Sequence, residues 1–354
     1  MRLGIIGLPQ SGKTTVFNAL TRGHQPLTTS GGRFDVHTGV VDVPDERVDR
    51  LSGLFKPKKT IYAKVTYADI AGLEGSQSAI SGQLLNLITQ MDGLLHVVRC
   101  FEDANVPHPS GSVNPLRDIA TMDSELLLND LIAVERKLER LVDERKKGGG
   151  RERSVLDREE LIFERFKDSL SREIPLREIE LTSEDEKTLS SFGFLTRKPM
   201  LVLLNLHEGQ EMPPAEYPHP HTSMVALQGK LEMEIAQLTT EDAEVFMGEY
   251  GITELGLARV IRVSYDLLGL ISFFTVGADE VRAWTIHRGS SAYEAAGEIH
   301  TDLQKGFIRA EVIPYAELLA LGGLTEAKAK GRLRLEGKEY VVHDGEIMHI
   351  RFNV

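Results

Sequence analysis

Arg2 to Gly7 reads RLGIIG, an apolar run suited to a strand buried on both faces of a parallel sheet. A Gly-rich turn follows, then TTVFNALTRG, in which Val16, Phe17 and Leu20 share one helical face and Gly23 supplies a stop. Gly23 to Phe34 is loop-like, and HTGVVDV behind it is a strand candidate. TIYAKVTYADIAG alternates at Ile61, Ala63, Val65 and Tyr67, which predicts one strand ending near Asp69. A helix is expected over Gln77 to Met91 and a buried strand over Gly93 to Phe101. The Pro/Gly/Ser-rich stretch DANVPHPSGSVNP then breaks the pattern.

From about Leu116 to Phe192 the chain is highly charged, with apolar residues at helical spacing: Leu127, Leu131, Val134, Leu138 and Leu141. KKGGGRER interrupts them at 146–153, and a second helical run carries Leu156, Leu161, Ile162 and Phe166. This predicts two antiparallel helices joined by a flexible tip, for which a plain spacer role is the simplest reading. KPMLVLLNLHE returns to the buried-strand pattern with Asn205 at its end, and HTSMVAL reads as the last strand of that sheet. Helical material is expected from Lys230 to about Leu268. The remainder alternates short strands (AWTI, FIRAEVI, RLRLEG, EYVV, EIMHIRF) around an Ala-rich helix near Ser291 to His300. That mix points to a small α+β domain of the β-grasp type. The expected division is 1–116 with 195–269, an inserted helical hairpin at 117–194, and 270–354.

The chain has 354 residues, too many for one core, in keeping with two or three domains. Hydrophobic residues make up 41% and charged residues 27%, ordinary for a soluble globular protein, and no apolar run is long enough to span a bilayer. The first residues do not have the form of a signal peptide. Cys100 is the one cysteine, so no intramolecular disulfide forms, and a reducing cytoplasmic location is expected. A formal net charge of −12 argues against a general polyanion binder, although a local basic patch would still serve one.

Gly7-Leu8-Pro9-Gln10-Ser11-Gly12-Lys13-Thr14 matches the phosphate-binding pattern G-x-x-x-x-G-K-[ST] in full, between a strand and a helix. Within the turn from Pro9 to Thr15, the successive backbone N–H groups of Gln10 to Thr15 would wrap a triphosphate, and the helix N-terminus favours its charge. Lys13 would reach the β- and γ-phosphates, and the Thr14 hydroxyl would ligate Mg²⁺. Asp69-Ile70-Ala71-Gly72 is a D-x-x-G at a strand end. Asp69 would hold Mg²⁺ through a water, and the Gly72 N–H would sense the γ-phosphate. Asn205-Leu206-His207-Glu208 lies where a guanine-reading N-K-x-D would be, but the Lys is missing and Glu replaces Asp. An Asn side chain also bonds adenine N6 and N7, so ATP is favoured over GTP.

These motifs sit among longer ones: LGIIGLPQSGKTTVFNALT, DIAGL, HVVRCFED, LLGLISFF, VRAWTIHRG, AAGEIHTDLQKGFIRAEVI and RLRLEGKEYVVHDGEIMHIRFNV. Together, over nearly the whole chain, they resemble the Obg-like ATPase family, the YchF group of translation-factor-class P-loop NTPases. The resemblance implies an α/β P-loop NTPase domain with an inserted coiled-coil hairpin, and a β-grasp TGS domain at the C-terminus. It implies ATP preferred over GTP, and association with ribosomes or ribosomal RNA through the TGS and helical domains. The family's base-reading Asn, hydrophobic neighbour and Glu match Asn205, Leu206 and Glu208, and its loop behind the base resembles Gln228-Gly229-Lys230.

The chain also departs from the family. Gln10 stands for its usual Asn and Ser11 for its Val. Arg33 aligns with the Mg²⁺-binding Thr of the first switch, with Thr28 and Thr29 off register. The second switch is shortened to EGSQSAISGQ. Leu73 stands where other switch proteins carry a water-orienting Gln, and the family's substitute, a loop His, matches His108. A neutral imidazole there would orient or deprotonate water, while a solvated loop residue is the simpler reading. His96, Arg99 and Cys100 read as packing and strand-end residues, and His219 and His221 as loop residues. The expected function is a slow ATPase switch. The alternatives are a nucleotide-gated binding module with little hydrolysis and a GTP-preferring GTPase, with a small-molecule kinase disfavoured.

Overall fold

The structure is a computed structural model that describes residues 1–24, 36–70, 82–147, 150–189, 191–213, 219, 221–250, 252 and 254–353, and the Gln83 side chain lies outside this set. In chain order the first elements are β1 (Arg2–Ile6), α1 (Lys13–Thr21), β2 (Val36–Asp42), α2 (Glu46–Phe55), β3 (Lys59–Ile61), β4 (Lys64–Ile70), α3 (Gly82–Thr89) and β5 (Gly93–Arg99). Then come α4 (Pro115–Lys147), α5 (Arg153–Ser171), α6 (Ser183–Leu189), β6 (Met200–Asn205), β7 (Thr222–Leu227), α7 (Gly229–Ala236), α8 (Thr240–Glu249) and α9 (Gly256–Leu267). The last stretch holds β8 (Leu270–Val276), β9 (Glu280–His287), α10 (Ala292–Ile299), α11 (Thr301–Lys305), β10 (Phe307–Pro314), α12 (Tyr315–Leu321), α13 (Leu324–Ala329), β11 (Arg334–Glu336) and β12 (Glu346–Phe352).

The chain forms two compact units: Met1–Gly39 with Thr66–Leu257, and Val40–Val65 with Ala258–Val354. In the first, a sheet of order β2-β4-β1-β5-β6-β7 has β1, β4, β5, β6 and β7 paired in parallel. β5 and β6 are buried at every position, as uninterrupted apolar runs require when helices cover both faces. Val16, Phe17 and Leu20 of α1 are buried as their spacing predicts. Leu84 and Ile88 of α3 and Ile119, Met122 and Leu126 of α4 pack into one core cluster with the sheet. α4 and α5 form the expected hairpin. Val134 and Leu138 share a cluster with Ile162, Phe163 and Phe166, and the ion pairs Arg145–Glu160 and Lys167–Glu135 run antiparallel.

In the second unit the sheet order is β11-β10-β12-β8-β9-β3. α10 covers it through Ala292, Ala295 and Ala296, and starts in a capping box of Ser291 and Glu294.

Several expectations change. TIYAKVTYADIAG is two strands, not one: β3 pairs in parallel with β9 (Lys59↔Glu280) while β4 pairs with β1. Residues 40–65, expected in the nucleotide-binding part, therefore belong to the second compact unit. The apolar alternation runs through the break because both strands need it. LISFFTV is a strand, β8, and the expected helical run over 230–268 is three helices, α7 to α9. EYVV is not a strand. Only Val341 makes an isolated bridge, because the carbonyls of Lys338 and Tyr340 accept the first-turn N–H groups of α10. The helix expected over 77–91 appears as α3, with 77–81 outside the described residues.

Candidate functional site

The turn between β1 and α1 is built on two glycines that accept no side chain. A Cβ on Gly7 would sit 2.4 Å from the Val97 carbonyl oxygen, and one on Gly12, where φ is +93°, would sit 2.2 Å from Asn205 Nδ2. Gln10 adopts φ 61°, a left-handed conformation uncommon for a residue with a side chain. Lys13 is nearly buried and its Nζ donates to the carbonyls of Gly7 (3.1 Å) and Leu8 (3.0 Å), so its charge lies over the loop.

Thr14 Oγ1 donates to Asp69 Oδ2 at 2.8 Å, which joins the two expected metal-site residues, one in the first turn of α1 and one near the end of β4. Asp69 Oδ1 is buried with no partner among the described residues. Burial raises the Asp69 carboxyl above the usual range, against the opposing pull of Thr14 and the Lys13 charge. A hydroxyl and a carboxylate with an unfilled buried oxygen fit a hard divalent cation such as Mg²⁺, which takes few protein ligands and completes its shell with phosphates and water. Among the described residues no cluster of three or more His, Cys, Asp or Glu suggests another metal centre.

Asn205 ends β6 and is 3% exposed. Its Nδ2 donates to the Ser11 carbonyl at 3.0 Å and its Oδ1 accepts from Gly229 N at 3.2 Å, so one amide ties the phosphate loop to the start of α7. A Cβ on Gly229 would lie 2.6 Å from that Oδ1.

These groups open on a cavity of about 1400 Å³. Pro9, Gln10, Gly12, Lys13, Thr14 and Thr15 line one end, with Asp69. Asn205, Leu206 and Glu208 line it further along. Ser11, Gln228 and Gly229 do not line it: Ser11 is buried with no partner for its hydroxyl among the described residues, and Gly229 acts through its N–H on Asn205. Gly72, Leu73, Thr28, Thr29 and Arg33 lie outside the described residues, as does the shortened second switch up to its last two residues.

His108 is not solvated. It is 8% exposed, with Nε2 2.9 Å from Asp118 Oδ2, and its Nδ1 accepts from Ser110 N at 3.1 Å. An accepting Nδ1 makes Nε2 the protonated, donating nitrogen of a neutral ring. Arg117 holds the other Asp118 oxygen at 2.8 Å. His108 does not line the cavity, whereas Val106 and Pro109 on either side of it do.

His96 is buried in β5 with Nδ1 unpartnered, and burial, aided by the Lys13 charge, pushes its imidazole down to about 3. His221 pairs with Glu178 at 2.6 Å. Cavity residues that the sequence did not single out are Phe101 and Val106 from the loop after β5 and Met233 from α7, while Lys230, expected behind the base, lines the cavity. Phe101 follows the buried strand directly, which is the one local signal that could have found it.

Comparison with known proteins adds the following. Residues 270–353 match the YchF-GTPase_C family, described as a protein of unknown function, and residues 2–137 match the MMR_HSR1 family, described as a 50S ribosome-binding GTPase. The chain is 40% identical over 365 residues to the ribosome-binding ATPase YchF of Bacillus subtilis (strain 168), covering 99% of each. It is also 40% identical over 366 residues to the protein of that name from Escherichia coli O157:H7, covering 100% of this chain and 99% of that one. The solved structure of the Schizosaccharomyces pombe YchF GTPase superposes with a TM-score of 0.86 at 31% identity, covering 99% of this chain and 97% of that one.

Proposed function

Because the chain belongs to the YchF family, we propose that it is an Mg²⁺-dependent nucleoside triphosphatase, slow on its own, that acts as a ribosome-associated switch. The observation that carries this reading is the convergence of Lys13, Thr14, Asp69 and Asn205, from three separate segments, on one cavity. Successive N–H groups from Gln10 to Thr15 would receive the phosphates, Lys13 would exchange its carbonyl partners for phosphate oxygens, and Thr14 and Asp69 would hold the cation. Mg²⁺ would neutralise charge on the β- and γ-phosphate oxygens.

ATP is the proposed nucleotide. Leu206 replaces the Lys of the guanine-reading motif and Glu208 replaces its Asp. Relatives bearing the same architecture are named ATPases. Calorimetric titration tests this, and tenfold tighter binding of GTP, about 1.4 kcal/mol, would overturn it.

His108 is the proposed water-orienting group. Asp118 fixes its tautomer through Nε2, which leaves Nδ1 as the basic nitrogen once the Ser110 N–H releases it. The α4–α5 hairpin and a TGS-type C-terminal unit are the proposed ribosome contacts. Phosphate release by purified protein should be weak and should fall with Lys13→Ala; release unaffected by that change belongs to a contaminant and removes the proposal.

One observation favours a second reading, a nucleotide-gated module that hardly hydrolyses: both ring nitrogens of His108 are already engaged, away from the cavity. Single-turnover hydrolysis with and without ribosomes separates the two, since stimulation well above the solvent background sinks the second.

A further inference from the structure

We propose that Gln210 is a positioning residue for the nucleobase, and that with Arg99 it holds the two loops of the base-side wall in place ahead of any ligand. This rests on reading the cavity as a nucleotide site.

β5 and β6 run in parallel and end in register, Arg99 opposite Asn205. Beyond them the chain leaves in two loops, one from Phe101 and one from Leu206, and residues of both line the cavity. Nothing in parallel pairing holds such loops together once the strands stop, yet here two bonds do, and a third closes one of the loops on itself. Cys100 N donates to the Asn205 carbonyl at 2.9 Å. Gln210 Nε2 donates to the Cys100 carbonyl at 2.7 Å, and Gln210 Oε1 accepts from His207 N at 2.9 Å. One carboxamide therefore closes the 207–210 turn on itself and ties it to the end of the neighbouring strand. Gly209, at φ +71°, makes the reversal that brings Gln210 back.

Arg99 braces the other loop. Its side chain is almost wholly buried. Nε donates to the Phe101 carbonyl at 3.0 Å and Nη2 to the Val106 carbonyl at 2.6 Å, while the guanidinium lies 4.6 Å from the Phe101 ring centroid. Phe101 and Val106 line the cavity on one side and Leu206 and Glu208 on the other. The separation of these walls is thus set by side chains rooted in a fully buried pair of strands.

The chemistry of the strap is specific to glutamine. It needs one donor and one acceptor on the same planar group. Glutamate would set a carboxylate against the Cys100 carbonyl, asparagine is one methylene short, and methionine keeps the bulk without either bond. Ordering done before binding is not charged against the ligand. Losing it should weaken ligands that carry a base and spare those that are phosphate alone.

The test is calorimetry on the full chain with Mg²⁺, using ATP and inorganic tripolyphosphate as probes against wild type, Gln210→Met and Gln210→Glu. The expected result is ATP binding weakened about tenfold in both variants, with tripolyphosphate changed less than about twofold. Hydrogen exchange at the His207 amide should quicken in both variants without nucleotide, a readout independent of ligand. Unchanged ATP affinity, or equal weakening of ATP and tripolyphosphate, overturns the positioning role while the nucleotide site stands. Wild-type protein that binds tripolyphosphate as tightly as ATP has no base slot, and overturns both.

Discussion

Asn205 and Gly12 should be energetically coupled, and the size of the coupling follows from three distances. The Asn205 amide satisfies the Ser11 carbonyl at 3.0 Å and the Gly229 N–H at 3.2 Å, in a place only 3% exposed. Asn205→Ala leaves both buried groups without that partner, at about 1–3 kcal/mol each, so a loss of about 2–6 kcal/mol is expected. Gly12→Ala places a methyl 2.2 Å from the Asn205 nitrogen, so the amide has to leave and the same two bonds break. It also forces a side chain onto a backbone at φ +93°, which adds about 1–2 kcal/mol of strain. In the double variant the methyl no longer meets the amide, and only the strain adds to the Asn205→Ala loss.

The two single losses should therefore exceed the double loss by about 2 kcal/mol or more, well beyond the ~0.5 kcal/mol within which independent sites add. Trp284, the single tryptophan, lies in β9 of the second unit, so its fluorescence does not report on this site. The assay is instead the opening free energy of β1 and β6 amides by native-state hydrogen exchange. Additivity within the ~0.5 kcal/mol margin would refute the claim that Asn205 is what excludes a side chain at Gly12.

His96 makes the first unit acid-labile. Its imidazole is pushed down to about 3, so the unfolded chain binds the extra proton first, and the stability from the neutral ring is complete above pH 6.5 and lost as pH falls toward 3. By pH 5 the loss is roughly 2 kcal/mol, read as a lower urea midpoint by circular dichroism that His96→Gln flattens. The Asp69 carboxyl is shifted the other way, upward, so its buried charge opposes folding as pH rises through that raised value. On acidification a proton should displace the cation from Asp69 sooner than from an ordinary aspartate. The Mg²⁺-dependent part of ATP affinity, measured by titration with and without chelator, should fall with pH and vanish in Asp69→Asn.

What could be read in advance depends on how local each feature is. The phosphate loop was legible because its function rests on consecutive backbone N–H groups, and Gly7, Gly12 and Lys13 announce that geometry within eight residues. The position of Asn205 was legible because a polar residue closing a wholly apolar run marks a strand end. Exchange of segments between sheets was not legible. Ile61 and Val65 lie in one alternating run, and only the distant partner of β3 in β9 separates them. His108 was read as solvated from its Pro/Ser-rich neighbours, but its partner Asp118 sits ten residues on, in the first turn of α4. Arg99 and Gln210 were missed for the same reason: their bonds join loops that only the β5–β6 register brings together.

The two ends of the cavity ask different things of a ligand. At the phosphate end the protein's own groups partner one another: Lys13 with the Gly7 and Leu8 carbonyls, and Thr14 with Asp69. In the proposed site, phosphate and cation would bind there by exchanging those bonds, so each new contact would return only the difference between it and the one it replaces. At the base end Gln210 and Arg99 do not line the cavity, and a base that enters would break neither of their bonds. Contacts at that end count nearly in full. A change that loosens the base wall should then appear chiefly in nucleotide affinity. A change among Lys13, Thr14 and Asp69 should appear chiefly in the response to Mg²⁺ and in phosphate release.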